Sequence, residues 1–454
     1  MVMNEQLIRK YNVPGPRYTS YPTVPYWDND TFSAAAWRDS LRKSYDESRN
    51  DGISLYIHLP FCESMCTFCG CTKRITKNHA VEDPYIRSVL KEWRMYVEML
   101  GEKPKIAELH LGGGTPTFFS AKNLEDLING IFALGQHTDT TELGFEGHPN
   151  NTTRQHLETL YKLGFRRVSF GVQDYSERVQ EAINRRQPFE HVRNVTMAAR
   201  EVGYTSIGHD LIYGLPFQTL EDVEDTILKT VNLQPDRLAF YSYAHTPWLK
   251  GNGQRGFRDE DLPRDAEKRQ LYETGKRMLA EAGYHEIGMD HFALSTDSLL
   301  IATENGKLHR NFMGYTTAST RMMIGLGVSA IGDSWYGFAQ NTKNLEDYHQ
   351  LIEWDTLPLL RGHILTDEDL VVRQHVLNLM CRLRTDWTEE DAFLFSDEIL
   401  AELREFESDG LLSLNERSLV VNEAGRPFVR NICMALDLRL RRNKPDTRLF
   451  SLTV

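Results

Sequence analysis

The sequence predicts an α/β fold with a mainly parallel sheet, preceded by an N-terminal arm and followed by a mainly helical module. Three observations carry this. Between residues 53 and 243, six short runs rich in Ile, Val, Leu, Phe and Tyr alternate with segments of helical spacing. Strand–helix alternation repeated six times implies parallel strands joined by crossover helices. From about residue 366 the apolar spacing turns helical. The pattern is compatible with an open doubly wound sheet or with a barrel, full or partial.

The elements follow in order. Residues 1–50 read as an arm and a helix. The arm, Tyr11–Trp27, holds four prolines, the composition of an extended linker, but also four tyrosines, which argue that it packs onto something. The core spans 51–290. Its predicted strands are Ile53–Leu59, Ile106–Leu111, Thr141–Glu146, Arg167–Gln173, Ser206–Tyr213 and Arg237–Tyr243. Between the first two, Ile86, Val89, Leu90, Trp93, Val97 and Leu100 recur at helical steps. Asp83 is the expected N-cap, with Pro84 at the first helical position. A helix is predicted over 263–282, then an irregular stretch containing His291 and HRNFMGYTT (His309–Thr317). Residues 291–365 read as a region capping the core on its substrate side, and 366–454 as the helical C-terminal domain. In that domain an apolar helix, two short strands around Asn415-Glu416 and a further helix resemble a winged helix.

Composition narrows the class. The 454 residues are 41% hydrophobic and 26% charged, a globular balance, with no apolar run long enough to span a bilayer and no apolar signal core in MVMNEQLIRKYN. A cytoplasmic protein is expected. The net charge of −12 and the acidic neighbourhood EEDAFLFSDE argue against nucleic acid, so a packing role is the expectation for the C-terminal module. An anionic substrate must be held by a few placed cations against this field.

Four of the six cysteines fall in FCESMCTFCGC (Phe61–Cys71), at Cys62, Cys66, Cys69 and Cys71. Such crowding in a reducing compartment points to metal or redox chemistry. Structural zinc wants paired CxxC-type turns, and here no second pair follows. Thiol exchange wants an isolated CxxC. The third reading is a four-iron cluster bound by three thiolates, which leaves one iron open to a ligand from outside the protein.

Cys62-x3-Cys66-x2-Cys69, with Phe68 before the last cysteine and the whole following a predicted strand, resembles the signature of the radical S-adenosylmethionine superfamily. The resemblance implies a partial (β/α)6 barrel over 51–290. It also implies a [4Fe-4S] cluster on those three cysteines and S-adenosylmethionine on its open iron. Cys71 is then a fourth thiol outside the cluster, either packing beside it or taking part in substrate or proton handling. Cofactor contacts are expected from Tyr56, Phe68, Gly113, Gly114, Thr115, Glu146, Gln173, Arg185, Asp210 and Ala244, mostly at strand ends. A carboxylate within an apolar strand needs a partner, so Asp210 is expected to meet Arg185 or a ribose hydroxyl. The superfamily pattern is broken at Gly147-His148, where an Asp or Asn is expected before the proline. His148 either tunes the site or fills a turn.

The ordered set PGPRYTSYP, SLYIHLPFCESMCTFCGC, LHLGGGTPT, FGVQD, DLIYGLP, YAHTP, GMDHFA and LHRNFMGYTT is similar to the family of oxygen-independent coproporphyrinogen III oxidases (coproporphyrinogen dehydrogenases). Membership implies oxidative decarboxylation of two propionates of coproporphyrinogen III to vinyl groups, in porphyrin and haem biosynthesis. Two S-adenosylmethionine molecules are consumed per substrate, together with an unidentified reductant and electron acceptor, by a monomer. For the propionates, Arg17 and Arg310 are the substrate-side candidates, with Lys73 and Arg74 beyond the cluster. Phe312 and Ile331 are expected as apolar walls against adenine or a second cofactor molecule. Met313 stands where the family carries glutamine, which removes a hydrogen-bonding group there. Two competing functions share the cysteines. A haem-chaperone-like binding protein usually carries Asp-Phe after the third cysteine and lacks the PRYTSYP arm. A haem-degrading radical methyltransferase would differ in its products.

Overall fold

The computed structural model describes residues 5–248, 253–254, 256–445 and 449–453, so the first four residues of the N-terminal stretch read above lie outside it. Six strands form the core: β1 (Ile53–Leu59), β2 (Ile106–Gly113), β3 (Glu142–Gly147), β4 (Arg167–Gln173), β5 (Ser206–Tyr213) and β6 (Arg237–Ser242). They lie side by side in chain order and run parallel. Crossovers between parallel strands are right-handed, so an order that never reverses puts every connecting helix on one face. A doubly wound sheet requires a reversal; this sheet instead curls into a partial (β/α)6 barrel. Leu55, Ile57, Leu109 and Leu111 pack with Val89, Trp93 and Ile128 of the outer helices in one buried cluster. Near-continuous apolar runs are what strands covered on both faces need.

Several expectations are corrected. The first outer helix runs Glu82–Leu100, with Val81 at its N-cap position. Asp83 and Pro84 therefore sit inside the first turn, because Asn78 caps a short 3-10 turn (His79–Val81) that feeds the helix. Among the described residues the sheet has twelve strands. His291 belongs to a strand, His291–Ala293, which pairs antiparallel with β6 and with His285–Gly288. At the other edge Met323–Leu326 runs parallel to β1, and Ile331–Asp333, Gly337–Asn341 and Leu359–Ile364 follow antiparallel. The stretch 291–365 thus extends the sheet at both edges. HRNFMGYTT is a hairpin, His309–Asn311 against Gly314–Thr316.

The C-terminal module packs helices Asp367–Arg382, Asp397–Ser408 and Val429–Leu436 with a three-stranded sheet, Arg384–Asp386, Leu412–Asn415 and Ser418–Val421. Its core takes in Tyr11, Tyr18 and Tyr21 of the arm. Arg430 donates to the carbonyls of Gly15 and Pro16 and to those of Leu452 and Thr453, and Tyr18 donates to Asp437 at 3.0 Å. The arm is therefore a packed element. No helix among the described residues is long and apolar enough to cross a membrane.

Candidate active site

The C-terminal strand ends gather the site. Leaving β1, Phe61 is buried against Tyr85, Phe118 and Phe119, with ring centroids 5.5–5.6 Å away. This fixes where the cysteine loop begins. The loop closes on itself when Phe61–Cys62 pairs in parallel with Arg74–Ile75; Arg74 N–H donates to Pro60 O (2.8 Å) and Thr76 N–H to Cys62 O (2.9 Å). Its middle is held from outside. Thr67 N–H donates to Ile183 O (2.9 Å), Asn184 to Met65 O (2.8 Å), and the Gln254 amide to both Phe68 O and Ala244 O (3.0 Å each). Ala244 thus meets the site through its carbonyl, which shares that amide with the cysteine loop.

Cys62, Cys66 and Cys69 line one cavity of about 260 Å³ with Thr115, His148 and Arg185. All six cysteines are free, and among the described residues no three His, Cys, Asp or Glu side chains converge on a single ion position. Thiols set apart around a cavity fit a multi-iron cluster and not a lone zinc ion. The donors around them suit anionic sulfur. Thr115 Oγ1 lies 3.3 Å from Cys62 Sγ, and Arg185 Nη1 points at Cys66 Sγ (3.7 Å) while Nη2 donates to Gly171 O (2.6 Å). The hydrogen bond from Cys71 and the nearby Lys73 charge lower the pKa of the Cys69 thiol. Cys71 is held well above its ordinary value by the same hydrogen bond and the Cys69 charge, and it is exposed.

The glycine triplet is explained by close approach. Gly113 adopts φ +116°, and a Cβ there would lie 2.9 Å from the His58 ring; at Gly114 it would lie 2.6 Å from Pro60 O. His58, quoted in SLYIHLP but given no role by the sequence, joins two predicted parts. Its Nε2–H reaches Thr72 O (2.9 Å) in the cysteine loop, leaving Nδ1 to accept from Tyr56 OH (3.1 Å). Burial lowers its pKa and keeps it neutral, as that tautomer requires. Only the structure could reveal this link.

Glu146 lies beside His110 Nε2 and Gly113 N, both at 3.4 Å. Gln173 holds φ +70°, and Gly171 leaves room for both its amide and the Arg185 guanidinium. Of the two partners expected for Asp210, the structure bears on Arg185 alone. No ion pair joins it to Arg185; Ser169 bonds it, and burial with the nearby Glu146 charge pushes its carboxyl up to about 7. His148 fills a turn and also borders the cavity. Its Nδ1 accepts from Asn150 N–H (3.1 Å) in a turn, while its ring faces the cavity, held neutral by burial and by Arg185.

Of the cations expected at the substrate, Arg17 pairs with Asp290 (2.5 Å). Arg310 is buried and braces the arm, donating to Tyr18 O and Arg17 O at 3.3 Å each, with Nη1 left unpartnered. Arg74 turns away to Glu346 (3.2 Å), while Lys73 lines the cavity and reaches Cys69 O. Phe312 and Ile331 pack with Trp27, Phe338 and Leu365 rather than lining the cysteine cavity. Met313 lines a separate inner cavity with Glu146, Asp210, Tyr241 and His291. Below it, buried Glu108 accepts from Ser54 (3.0 Å) and Thr316 (2.8 Å), an internal carboxylate the sequence reading passed over.

Comparison with known proteins agrees with this geometry. The Radical SAM superfamily pattern matches residues 56–229. The oxygen-independent coproporphyrinogen III oxidase of Helicobacter pylori is 38% identical over 441 residues, covering 95% of this chain and 96% of that protein. That of Salmonella typhimurium is 38% identical, covering 96% and 95%. The solved structure of the Escherichia coli coproporphyrinogen III oxidase, described as a radical SAM enzyme, superposes with a TM-score of 0.89 at 36% identity, covering 96% of this chain and 99% of that one. The chain therefore belongs to the oxygen-independent coproporphyrinogen III oxidase family of the radical S-adenosylmethionine superfamily.

Proposed function

We propose that this protein converts coproporphyrinogen III to protoporphyrinogen IX by oxidative decarboxylation of two propionates. The observation that carries this reading is the cavity where three loop thiols meet Thr115 and Arg185 at the C-terminal strand ends, in a chain alignable almost end to end with oxidases of that name. When bound, the [4Fe-4S] cluster and S-adenosylmethionine supply a carbon radical able to remove an unactivated β-hydrogen, which acid–base chemistry cannot do.

The chain's own groups bind and orient. Cys62, Cys66 and Cys69 hold the cluster, with Arg185 and Thr115 donating towards the ligand sulfurs. Gly113, Gly114, Thr115 and Glu146 are assigned to the methionine end of the cofactor, and Gln173, Asp210 and Ala244 to its nucleoside end. Tyr56 and Phe68 border it. Phe312 and Ile331 are assigned to an apolar wall beyond it. Arg17 and the free Nη1 of Arg310 are assigned to substrate carboxylates, with Asp290 holding the Arg17 fork until a propionate arrives. Cys71 is assigned to the substrate side of Cys69. Each propionate uses one cofactor molecule, so two are consumed, with one electron from a reductant and one passed to an acceptor on each occasion. The protein acts as a monomer in the cytoplasm and is oxygen-sensitive.

The test uses coproporphyrinogen III deuterated at the propionate β-carbons. Deuterium recovered in 5′-deoxyadenosine supports the reading; cofactor cleavage with no deuterium transfer defeats it.

A further inference from the structure

The reductant must reach a cluster enclosed in a folded loop, and one face of that loop is built for contact. Arg74–Ile75 forms a two-residue strand on the outside of the cysteine loop, with Ile75 directly paired to Cys62. Thr76 N–H donates to Cys62 O at 2.9 Å, so the surface strand lies one hydrogen bond from the backbone of a cluster ligand. Ile75 is 41% exposed, an apolar side chain left in water at that point. Cations flank it. Lys77 is exposed and, with Lys73, lines the cysteine cavity; Arg74, the residue before Ile75, is exposed too. Arg74 holds only an exposed pair with Glu346, the kind of contact worth little and easily exchanged. Glu63, also exposed, lines the same cavity. A basic rim around one apolar residue stands out on a chain of net charge −12.

We infer that Arg74, Ile75 and Lys77 form the docking face for a small acidic electron-carrier protein bearing a low-potential flavin. This inference rests on the radical enzyme reading above. The carrier loses one electron and the cluster on Cys62, Cys66 and Cys69 gains it; no bond or proton is exchanged. Two acidic proteins repel at long range, so a local positive rim is what lets the encounter occur and sets its orientation. Ile75 supplies the desolvated centre and the cations the polar rim, the usual anatomy of a transient interface. Docking here gives the electron a short covalent and hydrogen-bonded route through Thr76 and Cys62.

The experiment uses the full-length holoenzyme and a purified, reduced bacterial flavodoxin, following cluster bleaching by anaerobic stopped flow. Ile75→Ser and Lys77→Glu are compared with the parent and with Lys77→Arg. Dithionite reduction and binding of the oxidised carrier are measured in parallel. Lys77→Glu is expected to slow the carrier's second-order rate about tenfold at low salt and to flatten its salt dependence, with Lys77→Arg restoring both. Ile75→Ser is expected to weaken carrier binding. Dithionite, itself an anion, is used at high salt, where its reduction of the cluster stays unchanged in all of them. Carrier rates and binding equal to the parent's in both Ile75→Ser and Lys77→Glu overturn the docking face. A parent reduced by dithionite that fails to cleave S-adenosylmethionine overturns the underlying reading instead.

Discussion

Gly114→Ala is the sharpest packing test of how the cysteine loop is held. A Cβ at Gly114 would lie 2.6 Å from Pro60 O, 2.7 Å from Pro60 C and 3.0 Å from Phe61 O. All three are backbone atoms at the root of the loop, so no rotamer change relieves the clash. Their positions are also fixed, since Gly114 N–H donates to Leu59 O (2.9 Å) and Arg74 N–H to Pro60 O (2.8 Å). The methyl must push β2 and the loop apart, and overpacking of this kind costs about 1–3 kcal/mol. Cys62 lies two residues beyond Pro60, and its Thr115 contact comes from the residue after Gly114, so both halves of that contact move. Gly70→Ala is the control: it lies in the same loop, and nothing is within 4 Å of its would-be Cβ. Chemical denaturation of the cluster-free chain should show a loss of about 2 kcal/mol for Gly114→Ala and a change within about 0.5 kcal/mol for Gly70→Ala. Iron and sulfide after reconstitution should fall for the first alone. Equal stability and equal iron in the two variants would refute the packing argument.

Cys71→Ser should keep the parent's iron content while each of Cys62→Ser, Cys66→Ser and Cys69→Ser loses it, as read by iron and sulfide analysis. Arg310→Ala removes two arm contacts and the stacking of its guanidinium over Tyr315 at 4.5 Å. Limited proteolysis should then cut near Tyr18, and KM for coproporphyrinogen III should rise about tenfold or more, as loss of a charged contact implies; an unchanged KM counts against Arg310 on the substrate side. Glu92 is fully buried, and burial pushes its carboxyl up to about 7 despite hydrogen bonds from Gly327 N–H, Tyr348 and Asn341. The folded state therefore binds this proton more tightly than the unfolded one, so the contribution is full below about pH 4 and is lost as pH rises through about 7. Glu92→Gln should flatten the fall in stability between pH 5 and 8 by about 3 kcal/mol in chemical denaturation; an unaltered slope contradicts the assignment.

Much of this was legible because local signals matched global demands. β1, β4 and β5 have the bounds the sequence predicts, because each carries a dense run of Ile, Val, Leu, Phe or Tyr that a strand covered on both faces needs. The cysteine spacing was legible because three thiols on one short loop need no tertiary information. What the sequence could not show depends on contacts between distant segments. The strand pair beyond β6 and the four beyond β1 are short and broken by turns, so their period never declares itself. Arg310 looked like a ligand for carboxylates, yet two of its nitrogens hold carbonyls of an arm 292 and 293 residues away. His58 acquires its role only when Tyr56 and Thr72 fold around it. Of the two partners expected for Asp210, the arginine is taken, since Arg185 is spent on Gly171 and Cys66.

The most direct test of the central claim is anaerobic product analysis. The reconstituted, reduced holoenzyme is given S-adenosylmethionine and coproporphyrinogen III, and products are followed by chromatography and mass spectrometry. A coproporphyrinogen III oxidase releases two carbon dioxide units stepwise through a monovinyl intermediate, with one 5′-deoxyadenosine formed for each. Cofactor cleavage with all four carboxylates retained would contradict it, placing the same radical machinery on a different substrate such as haem.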